Sequence, residues 1–218
     1  MTELNLLEKY PKTKRNVELR CEEKTEEDRA IARQFSKEFF DGDRKQGYGG
    51  FYYNSKFWAG VVEDMIKYYH LKEGSKLLDV GCAKGFMLYD FKQALPELDV
   101  CGIDISEYAI KNAKEEVKDF VSVGDARDLS RYKTKEFDLV VSINTVHNLE
   151  LSECKKALQE IERIGKNSFI TVDSWRTEEE EKRMKSWNLT ALTFMHVDDW
   201  KKLFEEVVFK GDYYWFIP

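Results

Sequence analysis

From Gly74 onward the chain alternates short apolar runs with amphipathic stretches. Five runs read as strands, at 76–80, 99–103, 119–124, 137–143 and 168–173. Helical spacing of apolar residues separates most of them, near 86–95, 106–117 and 151–164. Strands alternating with helices predict a mainly parallel sheet with right-handed crossovers, a doubly wound α/β architecture. Phe137-Asp-Leu-Val-Val-Ser-Ile143 is almost continuously apolar, as a strand covered on both faces should be. Further helices are predicted from Thr177 to about Asn188 and from Asp198, near its cap, to Glu206. A terminal strand follows around Tyr213–Ile217.

The first third of the chain has another texture. Residues 1–24 are polar and interrupted by Pro11, which predicts a flexible arm. After Thr25, the apolar residues Ile31, Phe35 and Phe39 recur at i, i+4 and i+8 and predict one helix with a single stripe, broken by Asp41-Gly-Asp43. Gln46-Gly-Tyr-Gly-Gly-Phe-Tyr-Tyr53 is rich in glycine and aromatics, and a helix follows from about Lys56 to His70. Residues 25–73 therefore form an N-terminal helical cap with an aromatic segment. That segment reads either as a lid over a site or as a satellite hydrophobic cluster.

The densest chemistry lies at Lys76-Leu-Leu-Asp-Val-Gly-Cys-Ala-Lys-Gly-Phe86. A strand ends in the acid Asp79, a tight turn carries Gly81 and Gly85, and a helix opens at Phe86. Glycine permits a sharp turn and a close approach of backbone to ligand. The helix N-terminus favours an anionic group. A second acid, Asp104, closes the next strand 19 residues after Gly85, where nucleotide folds place the carboxylate that holds ribose hydroxyls. The dinucleotide fingerprint G-x-G-x-x-G is not met, because Ala83 and Phe86 stand at its second and third small positions. A buried turn with no ligand is the bland alternative.

The remaining pattern, D-x-G-x-A-x-G, resembles the first motif of the class I S-adenosylmethionine-dependent methyltransferases, usually D-x-G-x-G-x-G. The resemblance covers about residues 74–175 and makes 74–218 an S-adenosylmethionine-binding catalytic domain. It implies that Asp79 attracts the cofactor's ammonium and that backbone N–H groups near Gly81, Ala83 and Gly85 receive its carboxylate. Asp104 then holds the ribose and Ile105 packs on the adenine. Asp125, with the backbone N–H of Ala126, sits near the adenine amino group. Both Asp104 and Asp125 have a plainer reading as helix N-caps. The family closes its sheet with an antiparallel hairpin, for which Leu192-Thr-Phe-Met195 is a candidate strand unless the last strand is absent.

Methyl transfer from a sulfonium needs chiefly an in-line approach at near-contact distance. The fourth strand ends in Ser142-Ile-Asn-Thr-Val-His-Asn148, and ligands bind beyond the carboxyl ends of parallel strands. Asn144 is expected to line the methionine end. His147 is either the general base for a hydroxyl or amine nucleophile or a loop residue that hydrogen-bonds a backbone carbonyl. Tyr48 is expected at the cofactor. Tyr52, Tyr53, Trp175 and Arg176 are the candidate substrate-binding residues, and no residue pattern argues for a metal.

Charge narrows the partners. The 218 residues carry a net charge of −6, and no basic stripe is seen, which argues against a nucleic-acid substrate. No apolar run approaches the roughly 18–20 residues that span a bilayer, the N-terminus has no signal-peptide pattern, and the four cysteines form no C-x-x-C pair. A cytoplasmic enzyme is expected, acting by direct methyl transfer on a small sugar-like or amino-acid-like metabolite. A protein or RNA methyltransferase and a non-catalytic cofactor-binding subunit remain as alternatives. Oligomeric state is open, a homodimer included.

Overall fold

A computed structural model describes residues 1–11 and 24–218. Its centre is β1 (Lys76–Val80) in a seven-stranded sheet. To one side lie β2 (Asp99–Asp104) and β3 (Val121–Val123); to the other lie β4 (Phe137–Ile143) and β5 (Gly165–Trp175), giving the order β3-β2-β1-β4-β5. The chain winds outward from β1 and returns to its other side at β4. The crevice beyond Val80 and Ile143 is thus the topological switch point, where ligands of open α/β sheets bind.

Both faces of the sheet are covered, and the pleat decides which side chain goes where. Leu77, Leu139 and Val141 pack with α3 (Ala59–Tyr68) and α4 (Phe86–Ala94) through Val62, Met65, Leu88 and Phe91. Leu78, Val80 and Val140 face α6 (Leu151–Ile164) and α8 (Val197–Glu206), meeting Leu158, Ile161, Trp200 and Phe204. This two-sided burial explains the near-continuous apolar runs of β1 and β4.

The sheet's closing strands differ from expectation. β6 (Met195–His196) pairs with Ser174 and Trp175, and β7 (Asp212–Phe216) pairs with Phe169–Asp173, both parallel to β5. An antiparallel hairpin needs its strands joined by a tight turn, but α8 lies between β6 and β7 and carries the chain back to the same end of the sheet. α7 (Glu178–Trp187) does the same between β5 and β6. The N-cap of α8 is His196, whose Nδ1 accepts the N–H of Asp198, two residues before the expected cap at Asp198.

The N-terminal cap also departs from a single helix. It divides into α1 (Glu26–Ala32), opened by a Thr25–Asp28 capping box, and α2 (Lys37–Asp41). Phe35 takes φ +48 between them, and its carbonyl accepts the hydroxyl of Ser106. The predicted 106–117 helix likewise breaks after α5 (Glu107–Lys111), where the Lys114 N–H turns to the carbonyl of Lys84. Residues 1–11 are docked, in contrast to the loose arm expected for 1–24. Leu4 N–H donates to the Tyr213 carbonyl, Tyr213 N–H donates to that of Thr2, and Leu6 is buried against α3 and α4. The rest of that arm, residues 12–23, lies outside the described residues.

Candidate active site

The turn after β1 is held in the left-handed region at Gly81 (φ +88), Ala83 (φ +49) and Gly85 (φ +72). A Cβ on Gly81 would stand 2.0 Å from Thr145 Oγ1, so only glycine lets this turn pass under the β4 loop. Ala83 adopts the conformation where the motif usually has glycine, at a cost of about 1 kcal/mol. Four of the turn's N–H groups are committed. Gly81 and Cys82 donate to the Ile103 carbonyl, Gly85 to that of Cys82, and Ala83 to Asp104 Oδ2 at 2.8 Å. They are therefore not the free anion donors that the motif alone suggested for Gly81 and Gly85.

Asp104 closes β2 with Oδ2 on Ala83 N–H and Oδ1 on Ser106 N–H, each at 2.8 Å. Burial pushes its carboxyl above the usual range, against the pull of those two donors. Asp79 lies deeper, with no side-chain hydrogen bond among the described residues. Burial first, then the neighbouring Asp104 charge, raises it well above the ordinary carboxylate range. A buried acid without a protein partner fits an ammonium supplied by a ligand. Ile105, 53% exposed beside these acids, offers an uncovered apolar face.

Gly81, Asp104 and Ile105 border a cavity of about 380 Å³. Its wall includes Gly81, Ala83, Asp104, Ile105, Asp125, Ala126, Asn144, His147 and Tyr48. Asp79 and Gly85 support the turn from behind this wall. Asp125 is gripped by Arg127, whose Nη2 and Nε donate to it at 2.6 and 2.9 Å, and this pairing holds the carboxyl below its usual range. Asn144, in the left-handed region at φ +51, has its side chain pinned by the Thr171 hydroxyl at 2.8 Å.

His147 is brought to the cavity, but in a state that corrects the general-base expectation. The Asp173 backbone N–H donates to its Nδ1 at 2.9 Å, so Nδ1 is unprotonated and Nε2 carries the proton. Burial lowers the ring's affinity for a second proton, only partly offset by the Asp173 carboxyl. A neutral imidazole with its lone pair spent on the backbone donates from Nε2; it does not accept there.

Four candidate substrate residues lie elsewhere. Tyr53 donates to Asp90 Oδ1 at 2.6 Å and packs edge-on against Phe86 and Tyr89. Tyr52 is 77% exposed on the outside. Arg176 pairs with Glu3, and Trp175 packs against Phe194. None of the four lines the cavity. Arg33, Phe35 and Phe39 from the cap and Phe216 from the last strand, which sequence reasoning did not bring to the cavity, complete the wall together with Asp173 from β5 and Trp187. No local motif marks them, because they converge from segments more than a hundred residues apart.

A family model described as a methyltransferase domain matches residues 71–211. The chain belongs to the methyltransferase-domain family. No curated protein matches it. Among solved structures, the YcgJ protein of Bacillus subtilis is similar at 17% identity and TM-score 0.55, over 67% of this chain and 66% of that one. A protein of Anabaena variabilis, described as a methyltransferase from an antibiotic biosynthesis pathway, is similar at 22% identity and TM-score 0.52, over 67% and 60%. A Haloferax volcanii protein solved with a methyltransferase activator is similar at 21% identity and TM-score 0.51, over 69% and 74%. The chain thus spans about two thirds of the first of these relatives, and all three share its class I fold.

The cofactor of this methyltransferase is S-adenosylmethionine, and the residues present fit it. Asp104 keeps carboxylate lone pairs for hydroxyls at the strand end, Ile105 has a bare apolar face, and Asp79 is a buried acid without a protein partner. When bound, the cofactor supplies an electrophilic methyl group on a sulfonium. No helix among the described residues is long and apolar enough to cross a membrane.

Proposed function

We propose that the methyl acceptor is a small cytosolic metabolite, sugar-like or amino-acid-like, received by direct in-line displacement. The observation that carries this reading is the shape of the cavity: about 380 Å³, walled by the strand ends and by residues of the cap and the C-terminal third. That volume suits one small ligand beside a cofactor's reactive end, whereas a polymer needs a long open groove. The surrounding charge is also unsuited to nucleic acid, with Asp79, Asp104, Asp125 and Asp173 clustered at the strand ends.

Two side chains support handling of an acceptor hydroxyl or amine. His147 Nε2–H is a donor that can orient the nucleophile's lone pair, and Asp173 is an acceptor 3.8 Å from the same ring. Burial raises the Asp173 carboxyl above the usual carboxylate range, which suits it to take the proton as the nucleophile attacks. The proton moves from acceptor to Asp173, and His147 stays neutral throughout.

The test is release of S-adenosylhomocysteine from S-adenosylmethionine on addition of fractionated metabolite extracts, with no partner protein present. Turnover is expected in a low-molecular-mass fraction. Turnover only with a macromolecular fraction, or none without a second subunit, would overturn the reading. With an acceptor in hand, Asp173→Asn should lower kcat by about 10²–10⁴-fold and abolish the rise of rate with pH. His147→Gln should keep that rise while lowering the rate.

A further inference from the structure

Arg33 is the C-cap of α1 and lines the cavity beside Phe35 and Phe39. Its Nε is buried with no hydrogen-bond partner, and among the described residues the guanidinium makes no ion pair. A buried N–H donor without a partner is costly to the free protein unless a ligand completes it. The other arginine in the wall, Arg127, is taken by Asp125 and by Glu153 at 2.6 Å. Among the described residues, Arg33 is therefore the one cavity-lining arginine left for an anion.

Its position is fixed from both sides. The Arg33 N–H closes α1 on the Arg29 carbonyl, and two residues later the Phe35 carbonyl is tied to Ser106, which also donates its N–H to Asp104. Arg33 is thus anchored to the same strand end as the ribose-binding acid. Meanwhile the N–H groups of Gly81, Cys82 and Ala83 are taken by the end of β2, and that of Gly85 by the Cys82 carbonyl. S-Adenosylmethionine carries one carboxylate, and the turn has no N–H at those four positions to give it.

We propose that Arg33 is the carboxylate anchor of this site, pairing with the amino-acid carboxylate of the cofactor across the cavity. Asp79 and Arg33 then divide the two charges of the methionine end, the acid taking the ammonium and the guanidinium the carboxylate. The assignment rests on the cofactor and not on the class of the acceptor. It makes the N-terminal cap part of the cofactor site, where a domain boundary at residue 74 would exclude it.

The experiment compares S-adenosylhomocysteine with 5′-methylthioadenosine, which keeps the adenosine and thioether but lacks the amino acid. Both are titrated calorimetrically into the full chain, wild type, Arg33→Ala and Arg33→Lys, with circular dichroism and thermal unfolding confirming the fold. Arg33→Ala should weaken S-adenosylhomocysteine by about 10–100-fold, the range for a charge-assisted hydrogen bond, and change 5′-methylthioadenosine less than about twofold. Arg33→Lys should recover part of the loss, because it restores the charge without the planar fork. An unchanged S-adenosylhomocysteine affinity would overturn the proposal and leave the guanidinium to an anionic acceptor. Equal loss for both ligands would overturn it too, in favour of a purely structural role for the cap. If the wild type bound neither ligand, the cofactor assignment itself would fall, an outcome distinct from either of these.

Discussion

Asp104 combines two duties that pull in opposite directions. Its oxygens orient the glycine turn through Ala83 N–H and Ser106 N–H, yet their burial works against ionisation. Asp104→Ala removes the acceptor for the ribose hydroxyls and should weaken S-adenosylhomocysteine by about 1–3 kcal/mol in calorimetry. The same change frees two backbone donors, so a moderate loss of thermal stability should accompany it. Ala83 is the converse case, a residue whose backbone is strained and whose side chain is dispensable. Ala83→Gly relieves the left-handed conformation and should raise stability by about 1 kcal/mol, or about 2–4 °C in Tm for a chain of this size. A lower Tm would show that the methyl group of Ala83 packs better than the strain costs.

At the scale of elements, the aromatic segment 46–53 is already fastened. Tyr48 N–H and Gly50 N–H donate to the carbonyls of Phe39 and Phe40, and Phe51 stacks on Phe86 at 4.9 Å. The fastening runs through Lys84 of the glycine turn, whose Nζ meets Asp41 Oδ2 at 2.6 Å and the Phe51 carbonyl at 3.0 Å. Tyr108 donates to the same Asp41 oxygen, and Phe51 N–H to the other. Both ends of the Lys84–Asp41 pair are largely buried, so losing one partner leaves the other uncompensated. Lys84→Met should therefore speed hydrogen exchange across 46–53 while the sheet's core amides stay protected. Unchanged exchange in that segment would mean that aromatic packing alone holds it.

For the whole molecule, the buried acids make stability a function of pH. Asp79 has a folded-state affinity for protons well above its ordinary value of 3.8. The native state then binds more protons than the unfolded one above pH 3.8, so this group's contribution falls as pH rises through its raised folded value. Asp79→Asn removes that loss. The free mutant should melt higher than wild type at pH 7.5, with the gap closing toward pH 4, while its affinity for S-adenosylhomocysteine drops. A gap independent of pH would place the effect in packing and not in ionisation. His147 acts with the opposite sign: its lowered folded value makes stability fall as pH drops below about 6.5, and His147→Gln should remove that part of the acid limb.

The order of strands, the glycine turn and the two strand-end acids were legible along the chain because each is local. Near-continuous apolar runs, a left-handed turn and a carboxylate closing a strand all write themselves into contiguous residues, from Lys76 to Asp104. The strands of the central sheet match their sequence limits within a few residues, and so do α4 and α6. What escaped was set by meetings between distant segments. Phe35 breaks the cap helix because Ser106 claims its carbonyl, and His147 is a donor because the Asp173 N–H occupies Nδ1. Tyr52, Tyr53, Trp175 and Arg176 have suitable chemistry, but their neighbours turn them away from the cavity. Arg33 and Phe216 have no motif around them and reach the cavity only through tertiary packing. The sequence by itself determined the scaffold and the two strand-end acids, since backbone periodicity and turn chemistry act over a few residues. The tertiary structure alone decided the protonation of His147 and the side chains at the cap and C-terminal walls, since hydrogen bonding and burial depend on what distant segments bring alongside.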